Sequence, residues 1–146
     1  MNKTALTLAS LALLSSHAFA ADVINHKSPY CGCCTEWTKH MQEAGFNVEE
    51  KLHENMNPIK QQFGITPELA SCHTAVIDGY VFEGHIPAQD IKAFLDNPPR
   101  NAKGLAVPGM PMGSPGMEYG NKQDEYSVYA FNEQGQVFEY RHYQGK

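Results

Sequence analysis

Three cysteines stand within four consecutive positions, Cys31-Gly32-Cys33-Cys34, and they fall where the hydrophobic pattern changes period. Residues 22–26 read as a short strand. From Thr35 onward Trp37, Met41 and Ala44 recur at i, i+4 and i+7, the spacing of one helix face, and Gly45 supplies a left-handed stop. A thiol motif at a strand-to-helix junction has few places to go. Its first thiol lies on the loop and its second on the first helical turn, where free backbone N–H groups and the helix dipole favour thiolate.

The rest of the chain fits around that junction. Phe46 and Val48 alternate with polar neighbours as far as Leu52, which is strand-like. Asn57-Pro58 is a capping residue followed by a first-turn proline, opening a short helix that Gly64 ends. Residues 74–77 and 80–83 flank Asp78-Gly79, a dipeptide suited to a tight hairpin turn. Residues 87–95 place Ile91, Phe94 and Leu95 on one helix face, and Pro98-Pro99 forbids continuation. Strand, helix, strand, short helix, hairpin, helix is the thioredoxin-like α/β plan, with an unrelated α+β sandwich as the competing architecture. Residues 101–120 are so rich in glycine and proline that a Gly/Pro/Met-rich loop is expected there, with neither helix nor central strand. Residues 126–131 and 136–143 read as an additional C-terminal β-hairpin that extends or covers one sheet edge.

Lys3, the apolar run 5–14 and the small pair Ala18 and Ala20 have the layout of a cleavable signal peptide, residues 1–20. The run is too short for a permanent membrane span. Cleavage after Ala20 takes 20 of the 146 residues and leaves 126, a single domain over 21–146 and a periplasmic location. A chain of that size buries a core without disulfides, and four cysteines are too few for a disulfide-built scaffold. Without Lys3, ten Lys and Arg face 16 Asp and Glu. That acidity argues against nucleic acid or anionic lipid as partners and favours cations, metal ions included.

Cys31 and Cys34 have redox-motif spacing, but Cys33 fills the gap, and a third thiol can attack any disulfide its neighbours form. A structural bridge from Cys31 to Cys34 closes a tiny loop and removes little chain entropy. Only Cys72 offers a long loop. In a thioredoxin-like sheet the hairpin runs antiparallel to the first strand, so Cys72-His73 at its start and His85 at its end return to the cysteine end. His73 stands where thioredoxins place a cis-proline. Cys31, Cys33, Cys34, Cys72, His73 and His85 are therefore expected to converge as candidate metal ligands. His26, His40, His53 and His142 read as solvated or core residues, and Asp22, Glu36 and Glu83 as solvated charges. No serine–histidine–aspartate set, carboxylate pair or phosphate loop stands out.

Met110, Met112 and Met117 lie in the expected loop and select among metals. Thioethers bind Cu(I) and are poor ligands for zinc, which four thiolates would satisfy without any loop. Neighbouring thiolates also bridge, so several copper ions per chain are a candidate content.

Ser28-Pro-Tyr-Cys-Gly-Cys-Cys34, Trp37, Ala44-Gly-Phe46, Ser71-Cys-His-Thr-Ala75, Gly79-Tyr80, Glu83-Gly-His-Ile-Pro87, Gly104-Leu-Ala-Val-Pro-Gly-Met-Pro111 and Ser114-Pro-Gly-Met117 together resemble the CopG-type periplasmic copper-resistance proteins. The resemblance implies a variant thioredoxin-like fold and a cysteine-bridged copper site with Cys31, Cys33, Cys34 and Cys72 as thiolate ligands. His73, His85 and the three methionines are its secondary candidates. It also implies a role in copper tolerance, with copper redox chemistry as a candidate activity. Two other functions fit the residues. One is a thiol–disulfide oxidoreductase with Cys31 attacking and Cys34 resolving. The other is a copper chaperone, for which periplasmic copper-efflux or copper-oxidase proteins are the candidate partners.

Overall fold

A computed structural model describes residues 21–146; the signal-peptide expectation lies outside them. The order is β1 (Asp22–Lys27), α1 (Gly32–Glu43), β2 (Asn47–Leu52), α2 (Asn57–Gln62), β3 (Thr74–Ile77), β4 (Tyr80–Glu83), α3 (Ala88–Asp96), β5 (Ala102–Ala106), β6 (Tyr126–Asn132) and β7 (Val137–Tyr143). All seven strands join one sheet in the order β2-β1-β3-β4-β5-β6-β7. β1 runs parallel to β2 and antiparallel to β3, and β3 and β4 form the hairpin around Asp78-Gly79. Both turn residues have positive φ, 51° and 80°, as a turn matched to strand twist requires. The α/β class and the thioredoxin-like variant order are as expected.

The sheet has two covered faces. Trp37 and Met41 from α1 and Ile91 and Phe94 from α3 pack with Val23, Phe82, Leu105 and Val128 on one of them. Each such side chain contributes about 1.5–3 kcal/mol by leaving water. On the other face a smaller cluster joins Ile65, Leu69, Val81, Ala106 and Phe131, with Phe63 beside them. β1 shows how a strand serves both layers. Val23, Asn25 and Lys27 are buried, and Asn25 Nδ2 donates to Thr38 Oγ1 of α1 at 3.2 Å. Ile24 and His26 alternate onto the opposite face.

Two local expectations need correction. The first concerns residues 101–120, because β5 is a strand inside the sheet, parallel to β4 and antiparallel to β6. Gly104 is what permits it. A Cβ at that position would stand 1.6 Å from the Val81 carbonyl oxygen, so only glycine lets the strands close. The loop proper starts after Val107, and β5 carries the C-terminal hairpin that extends the sheet. The second concerns the cap of α2, which comes from Asn55: its Oδ1 accepts from the Asn57 N–H at 3.0 Å, and Met56 takes the flanking position.

Candidate metal centre

Three strand and helix ends build the site. The register pairs His26 with Thr74 and Thr74 with Glu83, so the end of β1, the start of β3 and the end of β4 lie side by side. Cys31 flanks the start of α1, Cys33 and Cys34 fall in its first turn, and Cys72-His73 and His85 flank the hairpin. The convergence expected from the sequence is present. Cys31, Cys33, Cys34 and Cys72 form one group able to hold a metal, and Cys72, His73 and His85 form another that shares Cys72.

The sulfur atoms are not all equivalent. Cys31 and Cys34 are joined in a disulfide, where the sequence alone suggested four thiolates. Cys33 and Cys72 are free, with their Sγ atoms 3.9 Å apart, and Cys33 Sγ lies 3.4 Å from Cys31 Sγ. The third thiol is thus within reach of the bridge, as its position in the motif implied.

The imidazoles are held from outside. His85 Nδ1–H donates to the Pro115 carbonyl at 2.7 Å, which leaves Nε2 unprotonated and 2.9 Å from Cys72 Sγ. His73 is fully buried against Trp37, its Nδ1 is 3.4 Å from Cys72 Sγ, and its Nε2 has no hydrogen-bond partner. A buried polar atom without a partner costs about 1–3 kcal/mol unless a ligand satisfies it. Burial, with Cys33 adding to it, pushes the Cys72 thiol up to about 12. Burial also holds His73 and His85 below the usual imidazole range, further for His73, where His85 adds to the effect. The site therefore favours neutral donors until a cation arrives, and a bound cation reverses the balance for the thiol. Two free thiols and two neutral imidazoles fit a soft metal ion.

The glycine-rich loop covers this end. A Cβ on Gly116 would lie 2.7 Å from the Cys33 carbonyl oxygen, 2.8 Å from the Trp37 backbone nitrogen and 3.2 Å from His85 Nδ1. Glu118 fastens the loop, accepting from the Gly116 N–H at 2.8 Å while its other oxygen pairs with His40 at 2.6 Å. Met112 and Met117 are half-buried within the loop, and Met112 is tied to Asp124 through its backbone. Met110 is 53 % exposed and lines a separate cavity of about 1040 Å³ with Leu69, Tyr129 and Val137.

Some participants were not foreseen. Glu83, for which the sequence predicts a solvated charge, is fully buried, accepting from Lys60 Nζ (2.5 Å), Thr74 Oγ1 (2.5 Å) and the Ser71 N–H (3.0 Å). It thereby ties down the residues on both sides of Cys72-His73. Its place directly across the hairpin from Thr74 was readable, but its pairing with Lys60 from α2 was not. The Pro115 carbonyl carried no sequence signal. His26 turns away from the cysteines to meet His53, and His142 pairs with Glu125.

Fold and donors together define an α/β protein with a cysteine–histidine cluster able to hold a metal. Two solved structures, forms 1 and 2 of a protein named copper resistance protein CopG, superpose on it with TM-scores of 0.81 at 40% identity. The matches cover 86% and 85% of this chain and 99% and 98% of those chains, respectively. Residues 69–117 also match a family described as "Protein of unknown function, DUF411". Comparison with curated protein sequences finds no match. The chain belongs to the CopG family of copper-resistance proteins.

Proposed function

We propose that this protein binds copper in the periplasm as part of copper tolerance, with Cys33, Cys72, His73 and His85 as the donors ready to take the ion. The observation that carries this is the meeting of soft sulfur and neutral nitrogen at Cys72, whose Sγ is 2.9 Å from His85 Nε2 and 3.9 Å from Cys33 Sγ. Thiolate and imidazole together suit copper. Reduction of the Cys31–Cys34 bridge, taking two electrons and two protons from an external dithiol that becomes a disulfide, adds two more thiols, which bind further ions as thiolates by releasing their protons. Met112 and Met117 are the thioether candidates of the covering loop, and Met110 is the outermost. Among the described residues no helix is long and apolar enough to cross a membrane.

Copper content and X-ray absorption at the copper edge test this together. Protein purified with copper should carry it with mixed sulfur and nitrogen ligation. A Cys33→Ser, Cys72→Ser variant should lose more than about 100-fold in Cu(I) affinity, beyond what loss of an outer partner costs. Unchanged copper content in that variant would sink the proposal.

The disulfide at the start of α1 favours a second reading, thiol–disulfide exchange with Cys31 attacked and Cys34 leaving. Insulin reduction by metal-free protein separates the two. Efficient turnover abolished by Cys31→Ser and indifferent to copper would support exchange over copper binding.

A further inference from the structure

We propose that His26 and His53 form a second metal site, separate from the cysteine cluster, for a divalent cation with tetragonal preference such as Cu(II). His26 Nδ1 and His53 Nε2 are 2.8 Å apart, and the rings stack with centroids 5.1 Å apart and planes 27° from parallel. Both side chains are half-buried, and Phe63 closes one side of His26 at 5.4 Å between centroids. The backbone fixes the pair, since His53 N–H donates to the Lys27 carbonyl at 2.9 Å directly beyond the last β1–β2 pairing.

Without metal this contact is a hydrogen bond from one imidazole to the other. With metal, the same spacing can be compared with coordination geometries. Two nitrogens about 2.0 Å from one ion and at right angles stand about 2.8 Å apart, whereas tetrahedral ligands stand about 3.3 Å apart. The hydrogen-bonded separation of 2.8 Å matches adjacent positions around a square-planar or tetragonal ion, so Cu(II) or Ni(II) would enter by turning both lone pairs toward it with little change in spacing. Burial, with His53 and Lys51 adding to it, holds His26 below the usual imidazole range, so its lone pair is free at neutral pH. Lys51 lies opposite His26 across the strands and weakens any cation there. The site draws on neither sulfur nor the loop, so it stands or falls independently of the cysteine cluster.

The test uses purified protein whose Cys33 and Cys72 are capped with N-ethylmaleimide, titrated with Cu(II) and followed by electron paramagnetic resonance. One equivalent should bind with hyperfine coupling to imidazole nitrogen. His26→Gln or His53→Gln should weaken it at least about 10-fold, and His40→Gln should not. Lys51→Gln should tighten binding about two- to five-fold at low salt, which a purely structural histidine pair would not show. In the thiol-capped protein without substitutions, substoichiometric Cu(II) should broaden the ring-proton resonances of His26 and His53 first. Sharp resonances for both rings, or full Cu(II) binding by both glutamine variants, would overturn the proposal.

Discussion

Asp90 and His73 are both fully buried polar residues at helix or strand ends, and they are treated in opposite ways. Asp90, in the first turn of α3, is satisfied from β7: Tyr143 OH donates to one carboxylate oxygen at 2.6 Å and Arg141 Nε to the other at 3.2 Å. His73 keeps one ring nitrogen with no partner, and its other nitrogen faces a thiol. A satisfied buried group contributes to stability, whereas an unsatisfied one costs stability and is kept for another use. The contrast separates what locks the C-terminal hairpin to the domain from what waits for a ligand.

The largest stability effect should come from the satisfied side. Asp90→Ala removes the acceptor of the Tyr143 hydroxyl, which keeps the Gln89 amide at 2.9 Å as a partner, and frees Arg141, so unfolding free energy should fall by about 1.5–3 kcal/mol. Arg141 is 53 % exposed, so most of that loss comes from the hydroxyl and the buried cavity. Urea titration would measure it, and copper affinity of the folded protein should not change. A fall in copper affinity as large as the fall in stability would erase the distinction.

His73→Leu should do the reverse. It replaces an unpartnered polar ring with an apolar side chain, so the metal-free protein should be as stable as before, or more so. Cu(I) affinity should drop about 10- to 100-fold, read by competition with a chromophoric chelator. A large destabilisation with affinity intact would mean that His73 is a structural residue like Asp90.

Acid sharpens the same comparison. Burial above all holds His73 and His85 below the ordinary imidazole pKa in the folded protein. Below about pH 6.5 the unfolded chain takes up protons that the folded protein refuses. Stability of the metal-free protein should therefore be fully present above that pH and decline below it, by up to about 1.4 kcal/mol per pH unit for each histidine. Urea midpoints at pH 7.5 and 5 would show the decline, and His73→Leu should make it shallower.

How much of this was legible depended on whether the signal was local. The β3–β4 hairpin was written in Asp78-Gly79, and the helix over α1 in Trp37 and Met41 with Gly45 beyond, because turn chemistry and periodicity are properties of neighbouring residues. Topology then carried Cys72, His73 and His85 to Cys33, since an antiparallel hairpin must return its ends to one place. β5 was missed because Gly104 reads as a breaker, while its role is a long-range one, admitting the Val81 carbonyl. Glu83 was missed for a similar reason: its partner Lys60 comes from another element. The meeting of His26 with His53 crosses two strands that only the sheet register brings together. The disulfide could not be chosen from spacing alone, because Cys31, Cys33 and Cys34 offer competing pairs.

The covering loop lies between the two classes, and Gly116 is where it can be separated from the donors beneath it. Its φ is +88° and a Cβ there would press on the Cys33 carbonyl at 2.7 Å. Gly116→Ala adds backbone strain and two backbone contacts under 3.0 Å, and should cost more than about 1 kcal/mol of stability, while its effect on copper is the smallest of these. The loop should respond by lifting from the first turn of α1. Alkylation of Cys33 and Cys72 in the metal-free protein should then quicken, while Cu(I) affinity shifts less than in His73→Leu. Equal alkylation rates in the two proteins would show that Gly116 serves packing alone, and that access to the cysteines is set by the ends of α1 and β3.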